Sequence, residues 1–363
     1  MNKITEDQSN ENQSNEDQAS KDQSIMDERF QALQVWVEGI FGARQLDIQP
    51  ASADASFRRY FRVMHDGKSY IIMDAPPEKE DSEPFVRISG YLADIDLNVP
   101  RVIERSVEKG FYLLTDLGRS VYLEHLTDDS ADKFYSDAMH ALSVMHQAGH
   151  QYRNALPVYA RELLHTEMSL FSDWYLGRHH QVELNDDQLT ILESTYALLS
   201  TSALEQPNVF VHRDYHSRNL MLLDTGNPGI LDFQDAVWGP VTYDLVSLLR
   251  DCYITWPRQR VESWVKQYYA QLSTTSLLED VTEAQFLRWF DLMGIQRHLK
   301  ASGIFARLNY RDGKPGYLND IPRTMDYVFS VASDYAELKP FLNLLDELDI
   351  PDKLKQQTTG PST

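Results

Sequence analysis

From residue 27 onward the spacing of apolar positions changes several times, and each change marks an element. Phe30, Leu33, Trp36, Val37, Ile40 and Phe41 recur at helical spacing, with Gly42 placed as a C-cap. Phe57, Tyr60, Phe61 and Val63 then lead through His65-Asp66-Gly67-Lys68, a hairpin turn, into Tyr70-Ile71-Ile72-Met73. Ser82-Glu83-Pro84 opens a helix with Phe85, Ile88 and Leu92 on one face. Two further strands are predicted at Val99–Ile103 and Phe111–Leu114. The first part of the chain thus reads as helix, hairpin, helix and two strands.

After Gly118 the helical period takes over, with helices predicted near 131–148, 159–176, 187–199, 243–253, 258–272, 282–307 and 320–334. One stretch breaks the series. Leu220-Met221-Leu222-Leu223 and Ile230-Leu231 flank Asp224-Thr225-Gly226-Asn227-Pro228-Gly229, two apolar runs around a turn, which predicts a β-hairpin. The pattern describes an α+β, two-lobed chain. A β-rich lobe over 27–117 precedes a mainly helical lobe over 118–352, and the cleft between lobes is the expected ligand site. Segments 1–26 and 353–363 carry too little apolar surface to offset chain entropy and are expected to be disordered.

Composition narrows the class. Of 363 residues, 42% are hydrophobic and 11% aromatic, as in globular proteins, and no apolar run suffices to span a membrane. The single cysteine, Cys252, excludes an internal disulfide, and no secretory signal is apparent, so a cytoplasmic location is expected. The net charge of −21 repels phosphate backbones and anionic lipid, so neither a nucleic-acid nor a membrane partner is expected, and no protein partner is predicted.

The hairpin carries the candidate chemistry. Folding it brings its open ends together, so Asn219 and Asp232 should lie side by side. An amide oxygen beside a carboxylate suits Mg²⁺, a hard cation that shares its oxygen ligands with phosphates. Asp214, upstream in Val211-His212-Arg213-Asp214-Tyr215-His216-Ser217-Arg218-Asn219, is then placed to accept a proton as catalytic base. His212 is expected to support the loop, and Asp235 to be a further ligand, a substrate contact or structural.

His212-x-Asp214-x-x-x-x-Asn219, with Asp232 following, resembles the signature of the aminoglycoside phosphotransferase and choline kinase superfamily, relatives of protein kinases. The runs Leu231-Asp232-Phe233-Gln234-Asp235, Tyr243-Asp244-Leu245-Val246 and Gln296-Arg297-His298-Leu299-Lys300 are most similar to the anomeric sugar kinases acting on N-acetylmuramate and N-acetylglucosamine. That resemblance covers about residues 30–345. It implies a kinase-like bilobal fold, ATP and Mg²⁺ as cofactors, and phosphorylation of an amino sugar at its anomeric hydroxyl. It also implies that Asp244 ties its helix to the catalytic loop, through Arg213 or Arg218. The alternatives are an aminoglycoside, choline or homoserine kinase, or a non-catalytic nucleotide-binding relative.

Against the broader family pattern, the phosphate-covering loop, Ala51–Tyr60, has no glycine, and the following strand has no lysine. Ser56 is expected to contribute a hydroxyl, and an arginine, Arg58, Arg59 or Arg62, to supply the missing cation, with Arg58 placed in the nucleotide site; the alternative is a site that manages with Mg²⁺ alone. Leu113–Gly118 is similar to the hinge that meets adenine, which nominates Thr115 and Leu117. Arg297, Lys300 and Arg307 recur at helical spacing and would suit an anionic sugar; the alternative is a solvated helix face. Trp238, Tyr243 and Tyr253 are either sugar-stacking rings or core.

Overall fold

The computed structural model describes residues 28–53 and 57–359; the expected N-terminal tail over 1–26 and Ser56 lie outside them. The chain divides into two compact units. One comprises residues up to Val86 together with Pro100–Asp116, the other Arg87–Val99 together with everything from Leu117.

The first unit is a helix on an antiparallel sheet. Helix α1 (28–41) is followed by strands β1 (Ile48–Ala53), β2 (Arg59–His65) and β3 (Lys68–Asp74), helix α2 (Glu83–Asp94), whose residues from Arg87 onward belong to the second unit, and strands β4 (Val102–Ser106) and β5 (Phe111–Thr115). The sheet order is β1-β2-β3-β5-β4. Asp66 and Gly67 both have positive φ, the geometry of a two-residue hairpin turn, and they set the β2–β3 register. In that register Phe61, Ile72 and Leu113 line up across three strands and bury against Leu33 and Val37 of α1. Strand β1 escapes the sequence pattern because Ile48 is its sole strongly apolar residue; pairing with β2 holds it.

The second unit is mainly helical: α3 (Tyr122–His125), α4 (Ala131–Ala148), α5 (Arg161–Leu170), α6 (Asp186–Leu204), α7 (Tyr243–Leu249), α8 (Arg258–Leu272), α9 (Glu283–Asp312), α10 (Ile321–Ala332), α11 (Lys339–Glu347) and α12 (Ile350–Thr359). The predicted helix over 159–176 ends earlier, and Phe171–His179 continues it as a π-helix. Residues 353–359, expected to be disordered, extend α12 instead, because Ile350 and Leu354 fall one turn apart and both are buried. Helix α9 runs through the centre of this unit. It crosses α5 so closely that a Cβ on Gly303 would lie 2.3 Å from the Leu170 backbone.

Candidate active site

Four short strands build the site by nesting one pair inside another. Strand β6 (Asn208–Val211) pairs antiparallel with β9 (Val237–Pro240), and between them β7 (Leu220–Met221) pairs with β8 (Gly229–Ile230). The inner pair is the predicted hairpin. Nesting forces loops 212–219 and 231–236 to run alongside each other. The Leu231 amide donates to the Asn219 carbonyl at 2.9 Å, and Asn219 Nδ2 lies 3.3 Å from Asp232 Oδ2.

The loop is held from several sides. His212 is fully buried, and burial pushes its pKa down to about 4. Its Nδ1 accepts from the Asp214 amide at 3.2 Å, which assigns the ring proton to Nε2, donating to the Leu231 carbonyl at 2.9 Å. His212 is a clamp between the two loops. Asp244, at the start of α7, accepts the His212 amide at 2.6 Å and the Arg213 amide at 3.0 Å. The link expected through an arginine side chain is therefore made by backbone amides, which stand nearer to the helix end. Burial raises the Asp244 pKa to about 7 against the pull of these two N–H groups. Arg213 and Asp232 both adopt positive φ, 77° and 62°, a conformation that non-glycine residues keep only when their surroundings enforce it. At the far end of the loop Asp251 accepts both the amide and the hydroxyl of Ser217.

Asp214 stands half-buried among cations. Burial opposes its ionisation, yet neighbouring charge, Lys300 foremost, holds its pKa below the usual carboxylate value. Burial keeps His212 and His216 from protonating, so Lys300 and Arg297 are the lasting positive charges. Among the described residues nothing hydrogen-bonds to the Asp214 carboxylate, and no cation lies within ion-pair distance of it. Lys300 Nζ donates to Glu167 at 2.9 Å and to the Tyr243 hydroxyl at 3.0 Å; Arg213 also pairs with Glu167. The Arg297 guanidinium lies over the Tyr243 ring, 5.0 Å from its centroid, with no carboxylate partner among the described residues.

At the hairpin mouth the donor set is hard. Asn219 Nδ2 donates to the Asp214 carbonyl at 3.0 Å and to Asp232 Oδ2 at 3.3 Å, and the amide oxygen takes no part in those bonds. Gln234 Nε2 steadies Asp232 Oδ1 at 2.7 Å. No group of three His, Cys, Asp or Glu side chains forms a metal cluster among the described residues. An amide oxygen and one carboxylate are too few for a closed site. They fit Mg²⁺, which takes its remaining ligands from phosphates and water.

The other nominated residues are scattered. Arg58 pairs with Glu80 at 3.5 Å, Arg59 with Asp74, and Arg62 with Asp116 at 2.6 Å. Each of the three cations expected to serve phosphate is thus engaged within its own unit. Thr115 Oγ1 accepts from the Arg101 amide at 2.9 Å, and Leu117 packs on Gly229 of the hairpin. Asp235 is exposed, and its carbonyl meets Arg213 at 3.5 Å. Arg307, two turns of α9 beyond Lys300, is acted on by the charges of Arg311 and Asp312. Tyr243 is fully buried and offers no face for stacking, whereas Trp238 and Tyr253 are half-buried. Glu167 was absent from the sequence reading. Its one signal is an acid on the buried stripe Leu164, Glu167, Met168 and Phe171.

Comparison with known proteins matches this architecture. The model of the Phosphotransferase enzyme family (APH) matches residues 47–287. The N-acetylmuramate/N-acetylglucosamine kinase of Pseudomonas aeruginosa is 44% identical over 332 residues, covering 89% of this chain and 97% of the relative. The protein of the same name from Pseudomonas putida is 43% identical with the same coverage. Among solved structures, the ADP-bound aminoglycoside phosphotransferase APH(2'')-Ib superposes with a TM-score of 0.55 at 14% identity, covering 83% of this chain and 98% of that one, which identifies the shared kinase-like fold. This chain belongs to the phosphotransferase enzyme family.

Proposed function

We propose that the protein transfers the γ-phosphoryl group of ATP to the anomeric hydroxyl of N-acetylmuramate or N-acetylglucosamine, a step in reusing peptidoglycan sugars. The observation that carries the chemistry is Asp214, whose carboxylate has no partner among the described residues, on the loop that Asn219 closes beside Asp232. In this reading Asp214 accepts the proton of the attacking hydroxyl. Asn219 and Asp232 hold Mg²⁺, which when bound neutralises charge on the phosphates. Asp235, exposed at the same mouth, is a further contact on the substrate side.

The choice of acceptor rests on the names of the relatives and on charge. Arg297 acts on Asp214 and lacks a carboxylate partner among the described residues, whereas the charge of Lys300 is met by Glu167. Such a pocket repels the polycations that aminoglycoside kinases accept and favours a sugar bearing a carboxylate. On the nucleotide side, Thr115, Leu117 and Arg58 remain the candidates, with Ser56 beyond the described residues. Arg58 reaches phosphate at the expense of Glu80. Dependence on ATP places the enzyme in the cytoplasm.

Incubation with MgATP and a panel of N-acetyl sugars, aminoglycosides and amino alcohols, with products identified by phosphorus NMR, tests the reading. Phosphate should appear at C1 of an N-acetyl sugar. Phosphate at a 6-hydroxyl, or turnover confined to the aminoglycosides, would reject it.

A further inference from the structure

Lys300 poses a difficulty for a base at Asp214. Lys300 shares Glu167 with Arg213, the residue next to Asp214, and is the leading positive charge on that carboxylate, so a swing of its flexible four-carbon stem would close an ion pair there. The carboxylate's acceptor sites would then be occupied by Nζ rather than by the acceptor hydroxyl. In the structure that pair does not form. Glu167 and Tyr243 take two of the three Nζ donors, at 2.9 and 3.0 Å.

Glu167 is built for such a task. It is 4% exposed and accepts from Lys300, Arg213, the Tyr159 hydroxyl and, at 3.3 Å, Gln296 Nε2. A buried carboxylate costs heavily unless it is paired and hydrogen-bonded, and this one is both. Its position is also rigid. Leu170, one turn beyond Glu167 on α5, meets Gly303, one turn beyond Lys300 on α9, where the two helices cross without room for a Cβ. That crossing fixes the separation of the two side chains.

We propose that Glu167 is a positioning residue that, with Tyr243, restrains Lys300 beside Asp214 and prevents the two from pairing, leaving the Asp214 carboxylate open to the acceptor. The proposal rests on the reading of Asp214 as base. Glu167 acts through Lys300 and touches no reacting atom in it.

The test compares Glu167→Gln, Tyr243→Phe, Lys300→Met and the double variants that add Lys300→Met to Glu167→Gln or to Tyr243→Phe, with Asp214→Asn as control. Turnover on whichever N-acetyl sugar the wild type accepts is read beside the thermal midpoint. Glu167→Gln should lower kcat by about tenfold with little change in KM for MgATP, and adding Lys300→Met should restore about fivefold, a non-additivity of the size that contacting residues show. Tyr243→Phe should lose less and be rescued in the same way, which covers the case of a Glu167→Gln variant that misfolds. A crystal structure of Glu167→Gln, or of Tyr243→Phe in that case, should find Nζ within about 4 Å of an Asp214 oxygen, a readout independent of turnover. Additive losses, or Nζ remaining in place, would overturn the inference. Wild-type turnover in Asp214→Asn would instead reject the base reading, a failure separable from this one.

Discussion

Asn219 and Asp232, thirteen residues apart, approach to 3.3 Å because the β7–β8 hairpin is nested inside the β6–β9 pair. The contact joins an amide to a carboxylate at an exposed mouth. In the proposed function these two side chains share a cation. Asp232→Asn keeps the shape and removes the charge. Turnover should fall at least ~10-fold at millimolar Mg²⁺ and recover partly as Mg²⁺ is raised, a loss no smaller than that seen for outer-shell metal partners. An unchanged Mg²⁺ titration would remove Asp232 from the metal site.

Asp214→Asn retains size and loses the proton acceptor. We expect turnover to drop by ~10²-fold or more, the lower range of general-base contributions. No described donor holds the wild-type carboxylate, so the thermal midpoint should scarcely move. Steady-state kinetics beside a melting curve checks both halves.

Asp244→Ala is expected to act on stability and activity together. The His212 and Arg213 amides would lose the acceptor that holds them at 2.6 and 3.0 Å. Leaving two buried donors unpaired should cost on the order of 3 kcal/mol. Arg213, at φ 77°, would lose its main backbone restraint. Urea denaturation should show the loss, and a midpoint equal to wild type would refute it.

Acid should destabilise the protein through buried histidines. Burial pushes both His146 and His298 down to about 3. An unfolded histidine titrates near ~6.5, so below that pH the unfolded chain binds protons that the native state refuses. Their stabilising contribution is whole above about pH 7 and shrinks as pH falls toward 3. At pH 5 each should cost on the order of 2 kcal/mol. Denaturant midpoints at the two pH values measure the sum, and His298→Gln should flatten the slope.

The β7–β8 hairpin was legible because its determinants are local. Apolar pairs, a turn and three polar residues lie within one short stretch, and hairpin closure brings Asn219 toward Asp232 before the β6–β9 pair encloses them. The pairing of the arginines was hidden. Arg59 shares a sheet face with Phe61 by period two, and strand register then sets it opposite Asp74. Register depends on every strand at once, so residue spacing near Arg59 could not reveal the partner. Arg297 and Lys300 both act on Asp214, whereas the charges acting on Arg307, two turns further along α9, are Arg311 and Asp312.

The chain's sequence by itself determined the α+β order of elements, the hairpin and the identity of its three polar residues, because these follow from periodicity and short-range geometry. Tertiary structure alone decided which charges surround Asp214. Glu167 and Lys300 lie on helices far apart in the chain, and they meet because α5 and α9 cross at Gly303. A buried ion pair between distant helices is fixed by packing, and packing leaves only a faint trace in sequence: one acid on an apolar stripe.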